Sequence, residues 1–582
     1  MRFPFGARLR QIHELWRTSE MTRGIILIIV IGLASGLGAV LFRWMVSSFT
    51  TLFFEGGETA FGFLGKYYVI ILPAVGGLIV GLLVYFLARE AKGHGVPEVM
   101  LAVNSHGGRI RARVAVVKAL ASAICIGSGG SAGREGPIIQ IGSTIGSTVG
   151  QWFRLPEDWV KLLVACGAAG GIAGTFNAPL AGIFFSLELI LRRFTPRNFI
   201  LVGLSAIIAT AISYAFWGNS PTFTMIPEYT WSSGWELPLY ILLGIVAAFI
   251  AKGFITALYR SEDLFGTWHL PTYLKPVFGG LAVGLIGFFY PQVFGVGYEA
   301  IETALLGGFA VGLLIGLCLL KIVATSLTLG SGGSGGIFAP SLFIGAMLGV
   351  AFGSGANALF PTVATEPGAF GLVGMAAVFA AVAHAPITAI LILFEMTRDY
   401  PIILPLMLAV ITSTQIARRL SPDSIYTLKL RRKGVKIIEG EMDPLMFVTI
   451  DEIMTSNYPT VSTEMPIIEL SHKLKRSGHH GFPVTDEEGH FYGMVTVSDV
   501  EEGLQKENPD LKVSDIATRN PVTAYPDQSV HDILLRLGTI DVGRIPVVAR
   551  DDPLQLIGVL RRHDIIRAYS KAAAKFKKRG WV

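Results

Sequence analysis

Three short segments set glycine and then proline inside apolar sequence: Gly93-His94-Gly95-Val96-Pro97-Glu98, Gly133-Arg134-Glu135-Gly136-Pro137 and Gly335-Gly336-Ile337-Phe338-Ala339-Pro340. Proline in a first helical turn loses only an N–H that would be unpaired anyway, so each segment reads as a helix start. The leading amides of a helix carry partial positive charge, and such a contact stabilises an anion by about 0.3–1 kcal/mol, or about 2 kcal/mol when partly buried. Three converging starts would replace part of an anion's hydration without a full positive charge, which would hold the ion too tightly to let it leave.

The elements that must position these segments are membrane helices. A chain of 582 residues with 52% hydrophobic and 15% charged residues and a mean hydropathy of +0.56 is too apolar for a soluble enzyme of this size. Gly24 to Phe49 and Tyr68 to Leu87 are long enough to span. From Val114 to about Ile416 the runs are shorter, interrupted at Gly127–Pro137, Gly170–Pro179, Gly330–Pro340 and His384–Pro386, the pattern of helices that stop inside the bilayer. In that setting Glu135 costs about 2.5–3.5 kcal/mol on insertion scales and is a functional candidate, the plainer alternative being a helix cap. Arg2, Arg8, Arg10, Arg17 and Arg23 precede the first apolar run, which predicts a cytoplasmic N-terminus, and this placement accounts for the net charge of +6 without nucleic acid. No secretory signal is expected in residues 1–23. Cys125, Cys166 and Cys318 lie in apolar runs and predict no disulfide framework.

The membrane part repeats itself. Gly133, Pro137, Ile141 and Gly142 recur as Gly336, Pro340, Ile344 and Gly345 at an offset of 203, and Gly167, Ala178, Pro179, Ile183 and Glu188 recur as Gly374, Ala385, Pro386, Ile390 and Glu395 at an offset of 207. A duplicated core places its substrate site near the bilayer midplane, between the halves.

The three segments, with Phe176-Asn177-Ala178-Pro179-Leu180-Ala181-Gly182, Phe394-Glu395-Met396-Thr397 and Tyr426, resemble the signature motifs of the CLC chloride channel and transporter family over roughly residues 20–430. The resemblance implies an α-helical multi-pass bundle of two inverted halves, about 24–217 and 237–416, in a homodimer with one chloride pathway per subunit. It makes Glu135 the external gate, whose carboxylate occupies an anion site until protonated or displaced. It assigns anion contacts to His94, Gly95, Arg134, Gly136, Gly336, Ile337, Phe338, Ala339 and Tyr426. The Tyr426 role rests on the family alone, since by itself that residue reads as an interfacial aromatic.

Two positions depart from the family. His94 stands where a serine hydroxyl is usual; its imidazole can donate an N–H to an anion or turn away to the backbone. Leu189 replaces the internal glutamate of many proton-coupled members, although Glu188 adjoins it. Leu189 tilts the expectation toward a gated chloride channel, with Cl⁻/H⁺ antiport as the alternative.

Beyond a linker at 431–446 the sequence turns polar and repeats again. Ile453 to Leu470 resembles Ile516 to Leu534, and the copies end in Thr496 with Asp499 and Arg561 with Asp564. This is similar to a CBS pair, a smaller cytoplasmic α/β region at about 447–505 and 510–573, followed by a basic tail at 574–582. The resemblance implies a regulatory ATP, ADP or AMP site using Thr496, Asp499, Arg561 and Asp564, the alternative being a dimer-forming pair without ligand. No other cofactor, no metal and no enzymatic activity are expected. A CBS-bearing divalent cation transporter would need clustered membrane carboxylates, a metalloprotease would need HExxH, and the Gly127–Gly136 run lacks the G-K-[ST] ending of a phosphate loop.

Overall fold

The computed structural model describes residues 20–219, 223, 234–364, 366–435, 445, 448–506, 508, 510–537 and 543–578. Most of the expected N-terminal segment, most of the linker and the end of the basic tail lie outside them. The chain divides into two compact units, Met1–Ile437 and Ile438–Val582.

The first unit is helical. Its first half runs α1 (Glu20–Phe61), α2 (Tyr68–Phe86), α3 (Val96–Ser105), α4 (Arg113–Gly127), α5 (Glu135–Trp152), α6 (Glu157–Phe176), α7 (Pro179–Phe185, continued by a π-turn over Ser186–Leu191) and α8 (Pro196–Trp217). Its second runs α9 (Glu236–Thr267), α10 (Lys275–Phe289), α11 (Tyr298–Leu305), α12 (Val311–Gly330), α13 (Phe338–Leu359), α14 (Pro367–Ala383), α15 (Pro386–Thr397) and α16 (Ile403–Leu420), and α17 (Ile425–Arg432) closes the unit. Eight helices among the described residues are long and apolar enough to cross a bilayer, and shorter apolar helices such as Pro367–Ala383 and Pro386–Thr397 accompany them. This is a multi-pass membrane protein.

The halves correspond helix for helix, and their contacts are reciprocal, as a twofold axis requires. Ser122 Oγ meets Ser334 Oγ at 2.9 Å, and the repeat mates of those two residues, Thr325 and Ser131, meet at 3.2 Å. Glu188 accepts the Ile387 and Thr388 amides at the start of α15, while its mate Glu395 accepts the Leu180 and Ala181 amides at the start of α7. Each half buries one helix pair through glycine: a Cβ at Gly142 of α5 would lie 2.1 Å from the Gly167 carbonyl of α6, and one at Gly345 of α13 would lie 2.3 Å from that of Gly374 in α14. Without a hydrophobic drive between helices in lipid, such backbone approach is what tightens the bundle.

The second unit holds two small sheets. Strands β2 (Val461–Ser462), β3 (Gly481–Thr485), β4 (Phe491–Thr496) and β5 (Thr518–Arg519) form one, in that order; β1 (Thr455–Ser456), β7 (Leu556–Arg561) and β6 (Arg544–Val548) form the other. Helices α18 (Ile467–Ser477), α19 (Val497–Leu504), α20 (Val513–Ile516), α21 (Val530–Leu537) and α22 (Arg562–Lys578) accompany them. The two copies exchange edges: β1 of the first pairs with β7, and β5 of the second pairs with β4. Each exchanged strand is followed by a left-handed asparagine, Asn457 (φ 58°) or Asn520 (φ 53°), which turns the chain out of the sheet.

Candidate anion site

The three glycine-proline segments converge. Gly133 and Gly336 exchange two backbone hydrogen bonds, 2.8 Å from the Gly133 amide and 2.6 Å from the Gly336 amide. The Gly93 amide donates to Gly333 O at 3.0 Å, and the Gly335 amide returns to Gly93 O at 3.3 Å. These bonds tie the loops before α3, α5 and α13 to one another and so bring the three helix starts together, at the expense of the Gly336 amide, which is spent on Gly133 O. Phe338, at the start of α13, is wedged between Phe176 and Phe379, with ring centroids 5.4 and 4.4 Å away.

Glu135 lies in that space. It is 1% exposed, and its carboxylate accepts the Ala339 amide of α13 at 3.3 Å and the Tyr298 hydroxyl at 3.0 Å. The carboxylate therefore stands where the α13 amides would receive an anion. The carboxylate also accepts its own amide at the start of α5, but its contacts with Ala339 and Tyr298 reach the other half of the molecule, which a simple cap would not require.

On the other side of the crossing, His94 is 7% exposed, and its Nδ1 is buried with no hydrogen-bond partner among the described residues. The His94 ring does not spend that nitrogen on the backbone, and an unpaired buried polar atom is costly unless a ligand or water completes it. The Tyr426 ring, 1% exposed, lies 5.9 Å from the His94 ring. Its helix is fixed by Ser424, which accepts the Tyr426 and Thr427 amides, and by the Tyr259 hydroxyl, which donates to Ile425 O at 2.5 Å. Arg134 lies over the Tyr298 ring, 5.3 Å from its centroid. A cavity of about 190 Å³ lined in part by Arg89, Lys92, His94, Glu98, Lys429 and Lys433 reaches this loop. Lys433 pairs with Glu98 and Lys429 with Glu262, so its positive lining is partly neutralised. Leu189 is 5% exposed, and the carboxylate beside it, Glu188, also accepts the Thr388 hydroxyl at 2.7 Å. Glu188 is thus engaged in holding the start of α15.

Sequence reasoning missed Tyr298 and two lysines. Lys118 and Lys321 are each 0% exposed. Lys118 Nζ donates to Ala91 O (3.0 Å) and Gly93 O (2.6 Å), and Lys321 Nζ to Val293 O (3.0 Å) and Gly295 O (2.9 Å). Their separation is the same 203 that relates Gly133 to Gly336, and Gly93-His94-Gly95 has a mate in Gly295-Val296-Gly297. Extending the repeat upstream of Gly133, with a one-residue step to an offset of 202, would have found both lysines and the loop that carries Tyr298, though not the tyrosine itself, which stands opposite Val96.

In the second unit, Thr496 and Asp499 cap α19 reciprocally: the Thr496 hydroxyl donates to Asp499 Oδ2 at 2.7 Å and accepts the Asp499 amide. Arg561 meets Asp564 through both Nε (2.8 Å) and Nη2 (2.9 Å). In both copies the residue before the helix is thus engaged with the acidic residue three positions on. Among the described residues no group of His, Cys, Asp and Glu could hold a metal ion.

A family model described as voltage gated chloride channel matches residues 76–418, and CBS domain models match 450–506 and 513–571. The chain is 37% identical over 371 residues to an H(+)/Cl(-) exchange transporter, ClcA, of Vibrio parahaemolyticus, covering 62% of this chain and 79% of that protein. It is 30% identical over 584 residues to chloride channel protein CLC-f of Arabidopsis thaliana, covering 85% and 73%. Among solved structures, a slow cyanobacterial Cl-/H+ antiporter superposes with a TM-score of 0.65 at 29% identity, over 71% of this chain and 98% of that one. A eukaryotic CLC transporter shares the fold over 94% of this chain, with a TM-score of 0.62 at 21% identity.

Proposed function

The chain belongs to the voltage-gated chloride channel family and carries a CBS pair, and on that premise we propose that it moves chloride or a similar small anion across the membrane in exchange for protons. The observation that carries the reading is the Glu135 carboxylate held at the Ala339 amide of α13, a titratable group standing in an anion's place. Protonation, or displacement by an incoming anion, frees that amide. His94, Gly95, Gly136, Gly336, Ile337, Phe338, Ala339 and Tyr426 line the path, and Arg134 raises the local positive potential. The buried Nδ1 of His94 takes the role that a serine hydroxyl has elsewhere in the family.

Exchange is favoured over the gated channel toward which Leu189 tilts, because several relatives are named H(+)/Cl(-) exchangers and a Cl-/H+ antiporter superposes over 98% of its length, although other relatives are named channels. A proton then reaches Glu135 by a route that does not use position 189. Reconstituted protein under opposed chloride and proton gradients is expected to show a reversal potential that shifts with the pH gradient. A potential that follows chloride alone would restore the channel reading.

The protein acts as a homodimer with one pathway per subunit and with its CBS pair in the cytoplasm. An adenine nucleotide binds the CBS pair, with Thr496 and Asp499 of the first copy and Arg561 and Asp564 of the second as its contacts, each pair opening to receive it. ATP or ADP titrated into the full-length protein is expected to raise its melting temperature. Thr496→Ala should weaken that response about tenfold, the loss of roughly one charge-assisted hydrogen bond. Equal responses in the two proteins would remove Thr496 from the site.

A further inference from the structure

The repeat that presents His94 to the anion is used a second time, for a different purpose. In the first half, Lys118 ties down the loop before α3 through Ala91 O and Gly93 O, and the loop ends in Gly95 at φ 83°. In the second half, Lys321 ties down the loop before α11 through Val293 O and Gly295 O, and that loop ends in Gly297 at φ 87°. Two buried lysines, two acceptors each and two left-handed glycines hold two equivalent helix starts. The first offers an imidazole near Tyr426. The second delivers Tyr298, whose hydroxyl donates to Glu135 Oε1 at 3.0 Å.

Tyr298 has little freedom to be elsewhere. Its ring lies between the Arg134 guanidinium, 5.3 Å from the centroid, and the Phe223 ring at 5.8 Å. Gly297 cannot be replaced cheaply: a Cβ there would sit 2.7 Å from the Phe343 ring. On the carboxylate side, Gly133 leaves the space Glu135 fills, since a Cβ there would stand 2.1 Å from Oε2. One carboxylate oxygen is thus held by an α13 amide and the other by a rigidly presented phenol.

We propose that Tyr298 is a latch on the gate: a positioning residue whose hydroxyl holds the Glu135 carboxylate in the anion's place and so sets how strongly the gate competes with the anion. This rests on reading Glu135 as the gate. The competition has a kinetic signature. When only a fraction of the protein has its site free, the apparent affinity for the anion falls by that fraction. Removing the latch enlarges the fraction, so half-saturation should fall to lower chloride concentration while the maximal rate is kept or raised. A structural lesion would lower the maximal rate instead.

The test is chloride efflux from proteoliposomes as a function of chloride concentration, for the native protein, Tyr298→Phe, Glu135→Gln and the double variant. Phenylalanine keeps the ring packing and removes only the hydroxyl. In Tyr298→Phe the half-saturating chloride is expected to drop at least about tenfold, the scale of one hydrogen bond to a charged group. In the Glu135→Gln background the same substitution should change it less than about twofold, because the neutral amide has already lost the charge that the latch holds. An unchanged or raised half-saturation in Tyr298→Phe, or an equal change in both backgrounds, overturns the latch. If Glu135→Gln alone leaves flux and half-saturation untouched, it is the gate reading that fails, and the latch falls with it.

Discussion

Glu135→Gln is expected to abolish the response of the reversal potential to a pH gradient while anion flux continues. The amide keeps the size of the carboxylate; its oxygen can accept the Ala339 amide while its NH2 donates to the Tyr298 oxygen, with that hydroxyl turned away, so the helix starts stay where they are. What is lost is titration. A group without an ionisable proton can neither carry one nor be released by one, and in a site 1% exposed there is little solvent to substitute for it. Proteoliposome chloride flux recorded with an internal pH probe separates the two outcomes. Coupled proton movement that persists in the variant would remove Glu135 from the transport cycle.

The second large effect concerns the crossing of the loops. Gly136→Ala places a Cβ 2.2 Å from the His94 carbonyl and 3.0 Å from Gly336 Cα, with backbone on both sides and no flexible side chain to yield. Overpacking of this kind costs about 1–3 kcal/mol, and the strain falls on the segments that aim the amides. A displacement near 1 Å at such a site can cost about 100-fold in rate. We expect Gly136→Ala to lose at least about tenfold in chloride flux, with a lower melting temperature. Gly38→Ala is the control, since a Cβ there meets only the Ile145 and Ile141 side chains at 3.8 and 4.0 Å, and its flux should be native. Native flux in Gly136→Ala would mean that the loops do not need their close crossing.

Much of this protein was legible in one dimension. Apolar runs broken by glycine and proline dictate discontinuous membrane helices, because a backbone that stops inside a bilayer must line a path or pack against protein. The offset of 203 that relates Gly133 to Gly336 marked the duplication, and the glycine-proline order at three helix starts determined the sign of the substrate. Edges exchanged between the CBS copies were not legible, since a two-residue strand carries no alternation to read. Nor was the partner of Glu188: sequence places it beside Leu189, whereas the fold spends it on the start of α15. Only the tertiary structure decided what Lys118, Lys321 and Tyr298 do. Each acts on a loop or carboxylate distant in sequence, Tyr298 on a residue 163 positions away, and a hydrogen bond across that separation leaves no local period or propensity behind. Residue types determine which groups can meet an anion; the twofold packing of the halves determines which of them do.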